Sequence, residues 1–185
     1  MQDQVVTLNC ARGELYSEWF LTCDLSYSKS TESVSQGYER LVKKLVQHSI
    51  TPIYEKAFGY LSDLPFLLNC RSTVYRKSGF SSDRIPISYI QGEPAVRGAR
   101  FAGVHVYGVQ VHAPSKVDIT DIISRGRCHG KVIDSDGVKQ AFFMGLNRKE
   151  KGTTDTVDAK TDIQSIFADL ALSLHNAGFE LTDLV

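Results

Sequence analysis

The sequence predicts an α+β fold in which helices cover one face of a mixed sheet. Several short runs alternate apolar and polar residues, as half-buried strands do, and the clearest of them spans residues 100–111. Two further segments, residues 33–49 and 63–77, place apolar residues at helical spacing. These elements follow the order ββαβαββ, and a partial ββα arrangement comes after them. Hairpins at both ends with two helices between them favour a single α+β layer.

The first elements predicted are a hairpin and a helix. Strand-like runs at Val5–Cys10 and Glu18–Leu25 are joined by a short polar turn, residues 11–14. Ser33 followed by Gln36 fits a capping box, in which a side chain at each end of the first helical turn bonds the other residue's backbone. The pattern therefore predicts that the first helix begins at Ser33.

Pro52 prevents that helix from continuing, because proline lacks the backbone N–H that a helix interior needs. The alternating run at residues 53–58 predicts the third strand. Asp63 is a favourable N-cap and Pro65 is tolerated in a first turn, so a second helix is expected over residues 63–77. One face of this helix combines apolar and polar side chains: Leu64, Leu67, Leu68, Arg71, Val74 and Tyr75.

The last two strands of this first unit are expected at residues 85–91 and 100–111. Side chains in a strand point alternately to opposite faces. The second of these strands should therefore place Val104 and Val106 on one face of the sheet and His105 on the other.

The chain also contains an internal repeat. Strand-like residues 18–23 match residues 139–144 at an offset of 122. The apolar stripe of the first helix matches that of a helix expected at residues 158–176 when 125 is added to each number. The matched positions are Tyr38, Leu41, Val42, Leu45 and Val46 with Ile163, Ile166, Phe167, Leu170 and Ala171. Any two amphipathic helices can be aligned in this way, but a strand before each helix favours a true duplication.

The repeat predicts a complete first domain at residues 1–113, a linker at 114–124 and the N-terminal half of a second domain at 125–185. A further strand is expected to begin near Leu184. Because the second copy stops after its helix, the sequence is expected to be a fragment of a longer protein. An isolated ββα unit leaves a helix face and a sheet edge uncovered, and both favour association.

Composition argues against three kinds of protein: nucleic-acid binders, metal proteins and membrane-spanning proteins. The 21 basic and 21 acidic residues give a formal net charge of zero, whereas proteins that follow a phosphate backbone usually carry a basic excess. Nucleic-acid binding is therefore disfavoured. The four cysteines lie far apart and form no CxxC pair, so no metal site is expected. The sequence shows no secretory signal and no apolar run long enough to span a membrane, which predicts a reduced, cytoplasmic protein.

Three stretches resemble a known family. The run HNAGFELTDLV at residues 175–185 resembles the LxxAGxxLxDVV segment of the YjgF/RidA family of reactive-intermediate deaminases. Residues 140–145 resemble the FVSG strand of that family, and residues 87–94 with 101–109 are similar to its final hairpin. The run FAGV at residues 101–104 also resembles chorismatase-like relatives of the family.

The resemblance implies a ββαβαββ fold like that of bacterial chorismate mutase, assembled as a homotrimer with sites in the clefts between subunits. Family deaminases hold a substrate carboxylate with an arginine before the penultimate strand, and they orient water with a glutamate in the last strand. Ungapped alignment places Ile85 at the arginine position, with Arg84 one residue earlier, and His105 at the glutamate position. Arg84 and Tyr89 are thus candidate substrate-binding residues, and His105 is a candidate catalytic residue.

Each candidate also has a structural alternative. For Arg84 the favoured alternative is a solvated loop residue, and for His105 it is a partly buried strand residue or a subunit contact. We therefore expect the N-terminal portion of a tandem RidA-like protein, an assembly or small-carboxylate-binding domain without a complete deaminase site or a cofactor. The alternative is an imine or enamine deaminase, or a related small-molecule hydrolase, acting at an intersubunit cleft. RNA cleavage, attributed to some family members, is disfavoured by the neutral charge.

Overall fold

A computed structural model describes residues 5–26, 30–94, 96–124, 126–144 and 159–183. Its strands and helices, in chain order, are β1 Val6–Ala11, β2 Tyr16–Asp24, α1 Thr31–Gln47, β3 Thr51–Gly59, α2 Leu64–Lys77, β4 Ile87–Gln91, β5 Phe101–Val111, β6 Val117–Ser124, β7 Arg127–Ser135, β8 Val138–Phe143 and α3 Ala159–Asn176. Short 3-10 turns lie at Leu61–Asp63, Ser82–Arg84 and Leu181–Asp183. The predicted α+β class is confirmed.

The strands form two sheets. The first has five strands in the order β1-β2-β5-β3-β4, in which β3 and β4 run parallel and the other neighbours run antiparallel. The second sheet has three antiparallel strands in the order β6-β7-β8. The first seven elements therefore follow the predicted order ββαβαββ.

Helices α1 and α2 cover one face of the first sheet. As alternation predicts, Leu21 of β2 and both Val104 and Val106 of β5 point to this face and are almost fully buried. They pack with apolar side chains of the helices, among them Leu41 and Leu67. This core fixes which residues of each strand face the helices, and therefore which residues lie on the opposite face.

Helix α1 begins earlier than expected. Its N-cap is Ser30, whose hydroxyl accepts a hydrogen bond from the Ser33 backbone N–H at 3.2 Å. The Ser33 hydroxyl in turn accepts from the Ser30 backbone N–H at 3.1 Å. The prediction that Ser33 is the N-cap was wrong, because Ser33 is the second member of a capping box that starts three residues earlier.

Helix α2 begins after Asp63, as predicted, but Asp63 does not cap it through its side chain. Its carboxylate instead accepts a hydrogen bond from the Arg100 Nε at 2.9 Å. The contact ties the start of α2 to the residue just before β5.

A buried polar network links β3 to both helices. Glu55 of β3 is fully buried, and its carboxylate accepts hydrogen bonds from the Tyr38 hydroxyl at 2.6 Å and the Tyr75 hydroxyl at 3.2 Å. The Arg71 Nε donates to the same carboxylate at 2.8 Å. Burial comes first among the causes that raise the pKa of Tyr38 and Tyr75, and the Glu55 charge adds to it. Both phenols are therefore neutral donors at any physiological pH.

Residues 114–124, expected to be a linker, contain strand β6. Val117 and Ile119 of β6 pack with Ile133 of β7 against the face of the first sheet that the helices leave free. Phe142 of β8 lies 5.1 Å, centroid to centroid, from the ring of Tyr107 on that face. The division into domains at residues 1–113 and 125–185 stays a prediction.

Strands β7 and β8 form a hairpin that precedes α3, which is the element order expected for a second copy; the duplication itself stays a prediction. Helix α3 buries Leu174, whereas Ile163 and Phe167 of the expected apolar stripe are exposed. The loop expected between β8 and α3 and the strand expected near Leu184 lie outside the described residues. Across the described ranges, the helices are too short or too polar to cross a membrane.

Candidate functional site

Arg84 lies at the end of the 3-10 turn that precedes β4. Arg71 holds this turn from inside the core, because it donates to the carbonyl oxygen of Ser82 at 3.2 Å and to that of Ile85 at 2.6 Å. The Ile85 side chain is buried. Alignment with the deaminase family placed Ile85 at the arginine position and Arg84 one residue earlier. Because Ile85 is buried, Arg84 is the one of these two that faces solvent, with 65% of its side chain exposed.

The Arg84 guanidinium is ion-paired with the second sheet. Its Nη1 lies 2.8 Å from the Oδ2 of Asp121 on β6. The other carboxylate oxygen of Asp121 accepts a hydrogen bond from Lys131 Nζ, its cross-strand neighbour on β7. Neither Asp121 nor Lys131 was a candidate in the sequence, because Asp121 falls in the segment expected to be a linker.

Tyr89 lies on β4 and packs on the helix side of the first sheet. Its hydroxyl donates to the carbonyl oxygen of Tyr60 at 2.8 Å. Burial, with a further contribution from the charge of Asp63, raises the pKa of Tyr89 to about 12. Its hydroxyl is therefore protonated at neutral pH, and its proton is engaged by the Tyr60 carbonyl.

His105 lies on β5 and is exposed on the face opposite the helices, as predicted. Its ring centroid is 5.0 Å from that of Phe58, and its cross-strand neighbour is Lys56. Partial burial, followed by the charge of Lys56, lowers the pKa of His105 below its ordinary value. The imidazole is therefore neutral at pH 7, the form that can accept a proton.

One chain does not bring all three candidates together. Tyr89 pairs with Ala57 of β3, whereas His105 pairs with the preceding residue, Lys56. Adjacent residues of a strand point to opposite faces, so Tyr89 and His105 lie on opposite faces of the sheet. Their substrate-binding and catalytic roles stay predictions.

The sheet face that carries His105 is only partly covered. Near the second sheet, Tyr107 and Tyr54 pack with Phe142. Beside them, the Phe20 ring lies 5.2 Å, centroid to centroid, from that of Tyr107, and 45% of the Phe20 surface is exposed. We call this part of the first sheet the open face; its residues are Phe20, Thr22, Lys56, Phe58, Ser88, Ile90 and His105. Phe20 thus meets solvent beside a packed aromatic cluster, and Ile90 is exposed at the β4 edge of the same face.

Acid should weaken the fold partly through His105. Its pKa is lowered in the folded chain, so the unfolded chain takes up this proton at a higher pH. The stability contribution is complete above the ordinary histidine pKa of about 6.5 and is lost as pH falls from there towards the lowered folded value. We expect His105→Gln to lose less stability than the parent chain across this window in thermal melts. If both proteins lost the same stability as the pH falls, His105 would not have a lowered pKa in the folded chain.

Among the described residues, no group of three or more His, Cys, Asp and Glu side chains is placed to hold a metal ion. The described features that bear on function are the open face and the Arg84 ion pair.

Comparison with solved structures identifies a related fold. A crystal structure of chorismatase superposes with a TM-score of 0.60 at 12% sequence identity, over 97% of this chain and 62% of the chorismatase chain. The chain has a chorismatase-like fold. This agrees with the resemblance of the FAGV strand to chorismatase-like relatives, whereas membership of the YjgF/RidA family stays a prediction. The chain spans about three fifths of the chorismatase chain's length.

Other comparisons add little to the chorismatase-like assignment. The OmpA-like domain of FopA1 from Francisella tularensis subsp. tularensis SCHU S4 has a TM-score of 0.37 at 10% identity, over 60% of this chain and 84% of that domain, which carries no argument. No protein-family model matches the chain, and no curated protein does.

Proposed function

We propose that this chain is the N-terminal portion of a larger tandem protein with a chorismatase-like fold. Its first RidA-like domain serves in assembly, as a homotrimer, and does not by itself hold a complete deaminase site. The observation that carries the proposal is the open face, where Phe20 and Ile90 are exposed on a sheet whose other face packs against α1 and α2. Phe20 extends the aromatic cluster of Tyr107 and Phe142, and an exposed apolar patch of this kind marks an interaction site.

The partner we propose is a second copy of the chain. The part of this sheet face next to the open face is already covered by Phe142 of β8, which packs on Tyr54 and Tyr107. The internal repeat matches Phe142 with Phe20 of β2 at the offset of 122. Phe20 of a neighbouring copy is therefore the side chain best suited to continue this packing. The homotrimer requires that Phe20, on β2, meets a different part of the open face in the next copy, because only a contact between two different surfaces closes into a ring of three, and it does so when the rotation between copies closes.

Carbene labelling of the surface tests this assignment. A photolysed diazirine should label Phe20 in the dilute chain and label it several-fold less in the concentrated, assembled chain. Val46 of α1, which is 54% exposed and lies away from the open face, is the internal control and should be labelled equally in both samples. Equal labelling of Phe20 at both concentrations would argue against the open face as an interface.

A second candidate function is binding or hydrolysis of a small carboxylate, of the imine deaminase type, at an intersubunit cleft. Two observations favour it: the exposed Arg84 already holds a carboxylate group, and His105 is neutral at pH 7 on the face where a neighbouring chain would pack. In this reading Arg84 and Tyr89 bind the substrate, and His105 accepts a proton. Hydrolysis of 2-iminobutanoate that is lost in His105→Gln would support this candidate, and no turnover by the assembled protein would oppose it.

A further inference from the structure

A cavity of about 370 Å³ lies between the turn that joins β1 to β2 and the hairpin of β7 and β8. Tyr16 and Glu18 of β2 line it from the first sheet, and Gln140 of β8 lines it from the second. The Tyr16 hydroxyl lies 3.5 Å from Gln140 Oε1, so the two sheets meet at one wall of the cavity. The cavity is distinct from the open face and from the Arg84 ion pair.

The Glu18 carboxylate in this cavity has no counter-charge. Its Oε1 accepts a hydrogen bond from the Tyr107 hydroxyl at 2.7 Å. Within the described ranges of the chain, Glu18 forms no ion pair with a lysine, an arginine or a histidine. A carboxylate can accept about four hydrogen bonds, and a partly buried charge is stabilised by an opposite charge. The second oxygen of the half-buried Glu18 is therefore available to a cation that enters the cavity.

Three phenol rings surround the same carboxylate. Burial, followed by the charge of Glu18, raises the pKa of Tyr16 and of Tyr54. Burial, followed by the hydrogen bond to Glu18, raises the pKa of Tyr107. All three hydroxyls are therefore protonated at neutral pH and lie within electrostatic range of the carboxylate. Cations are attracted to the faces of aromatic rings, and Lys56 Nζ already lies 5.5 Å from the centroid of the Tyr54 ring.

The donor set of the cavity fits an organic ammonium ion better than a metal ion. In the part of the chain that the structure describes, no three His, Cys, Asp or Glu side chains are placed to hold a metal. A primary ammonium has three N–H donors, and the walls offer it the Glu18 carboxylate and Gln140 Oε1 as acceptors. At the rim, Glu14 adds a second negative charge and Arg12 one positive charge. The two carboxylates and one guanidinium leave the cavity with a net negative charge, which attracts a cation.

We infer that this cavity is a binding site for a small primary ammonium ion. The Glu18 carboxylate is the counter-charge, Gln140 Oε1 is a second acceptor, and the Tyr16 ring forms one wall. The site depends neither on the proposed assembly nor on the deaminase-type candidate.

Saturation-transfer NMR with ethylammonium chloride tests the inference on the whole chain, with sodium chloride holding the ionic strength constant. The ethyl protons should receive saturation from the parent chain. Glu18→Gln removes the charge but keeps an oxygen that can accept from Tyr107, so it should fold and bind the probe about tenfold more weakly or less. Tetramethylammonium has no N–H donor and should bind the parent chain more weakly than ethylammonium.

Glu39→Gln is the matched control, because it removes the same charge from an exposed position on α1. It should bind ethylammonium as the parent chain does. If Glu18→Gln does not fold, Tyr16→Leu is measured with the same probe and should bind it several-fold more weakly, because the aromatic wall is missing. The inference would be overturned by absence of saturation transfer in the parent chain, by unchanged binding in the folded cavity variant, or by equal binding of tetramethylammonium.

Discussion

Replacement of Glu55 by alanine is expected to lower the free energy of unfolding by about 3–5 kcal/mol, the cost of breaking a buried ion pair by removing one partner. Glu55 is fully buried and accepts hydrogen bonds from Arg71, Tyr38 and Tyr75. Its loss leaves the Arg71 Nε and the two phenol hydroxyls in the core without the two carboxylate oxygens that accept from them. Because domains are stable by only about 5–15 kcal/mol, this single change should leave the fold marginal.

Urea denaturation followed by circular dichroism measures this effect. Glu39→Ala is the control, because Glu39 lies exposed on α1 and such surface changes usually stay within about 0.5 kcal/mol. A joint replacement, Glu55→Leu with Arg71→Met, should be less destabilising than Glu55→Ala, since apolar pairs can replace buried ion pairs. A loss below about 1 kcal/mol for Glu55→Ala would show that the network does not contribute as the geometry indicates.

Replacement of Phe20 by glutamate is expected to dissociate the assembly. Assembly would bury the exposed 45% of Phe20, about half of the roughly 1.5–3 kcal/mol that full burial of a phenylalanine contributes. A carboxylate in its place would in addition be desolvated without a partner, which costs several kcal/mol more. The association constant should therefore fall by about 100-fold or more, since each 1.4 kcal/mol is a factor of about ten. Light scattering over a concentration series measures the change.

The fold of the single chain should tolerate this substitution, because Phe20 is already 45% exposed. Val46→Glu introduces the same charge at a comparably exposed position on α1 and should leave the mass unchanged. If both variants lowered the mass equally, the loss would reflect added charge and not the open face.

Much of the fold follows from local patterns in the sequence. The alternation in β5 correctly places Val104 and Val106 towards the helices and His105 on the other face. The buried network also has a sequence signal, since Arg71 shares the predicted face of α2 with apolar side chains and has to find a partner in the core. Which residue that partner is depends on the packing of β3 beneath the helix, which no local pattern encodes.

Other features could not be read from the sequence. Strand β6 was expected to be a linker because a proline and several charged residues lie in and before it, yet Val117 and Ile119 gain burial against the first sheet once β7 pairs with it. The ion pair between Arg84 and Asp121 joins residues 37 positions apart. The placement of Tyr89 and His105 on opposite faces depends on the register of both β4 and β5 against β3, which only the assembled sheet defines.

Whether the chain assembles into a trimer is tested by its mass in solution. Light scattering should give three times the chain mass of 20.6 kDa at high concentration, with a decrease on dilution and in Phe20→Glu. A mass equal to one chain at every concentration would contradict the proposed assembly, and so would a trimer that Phe20→Glu leaves intact.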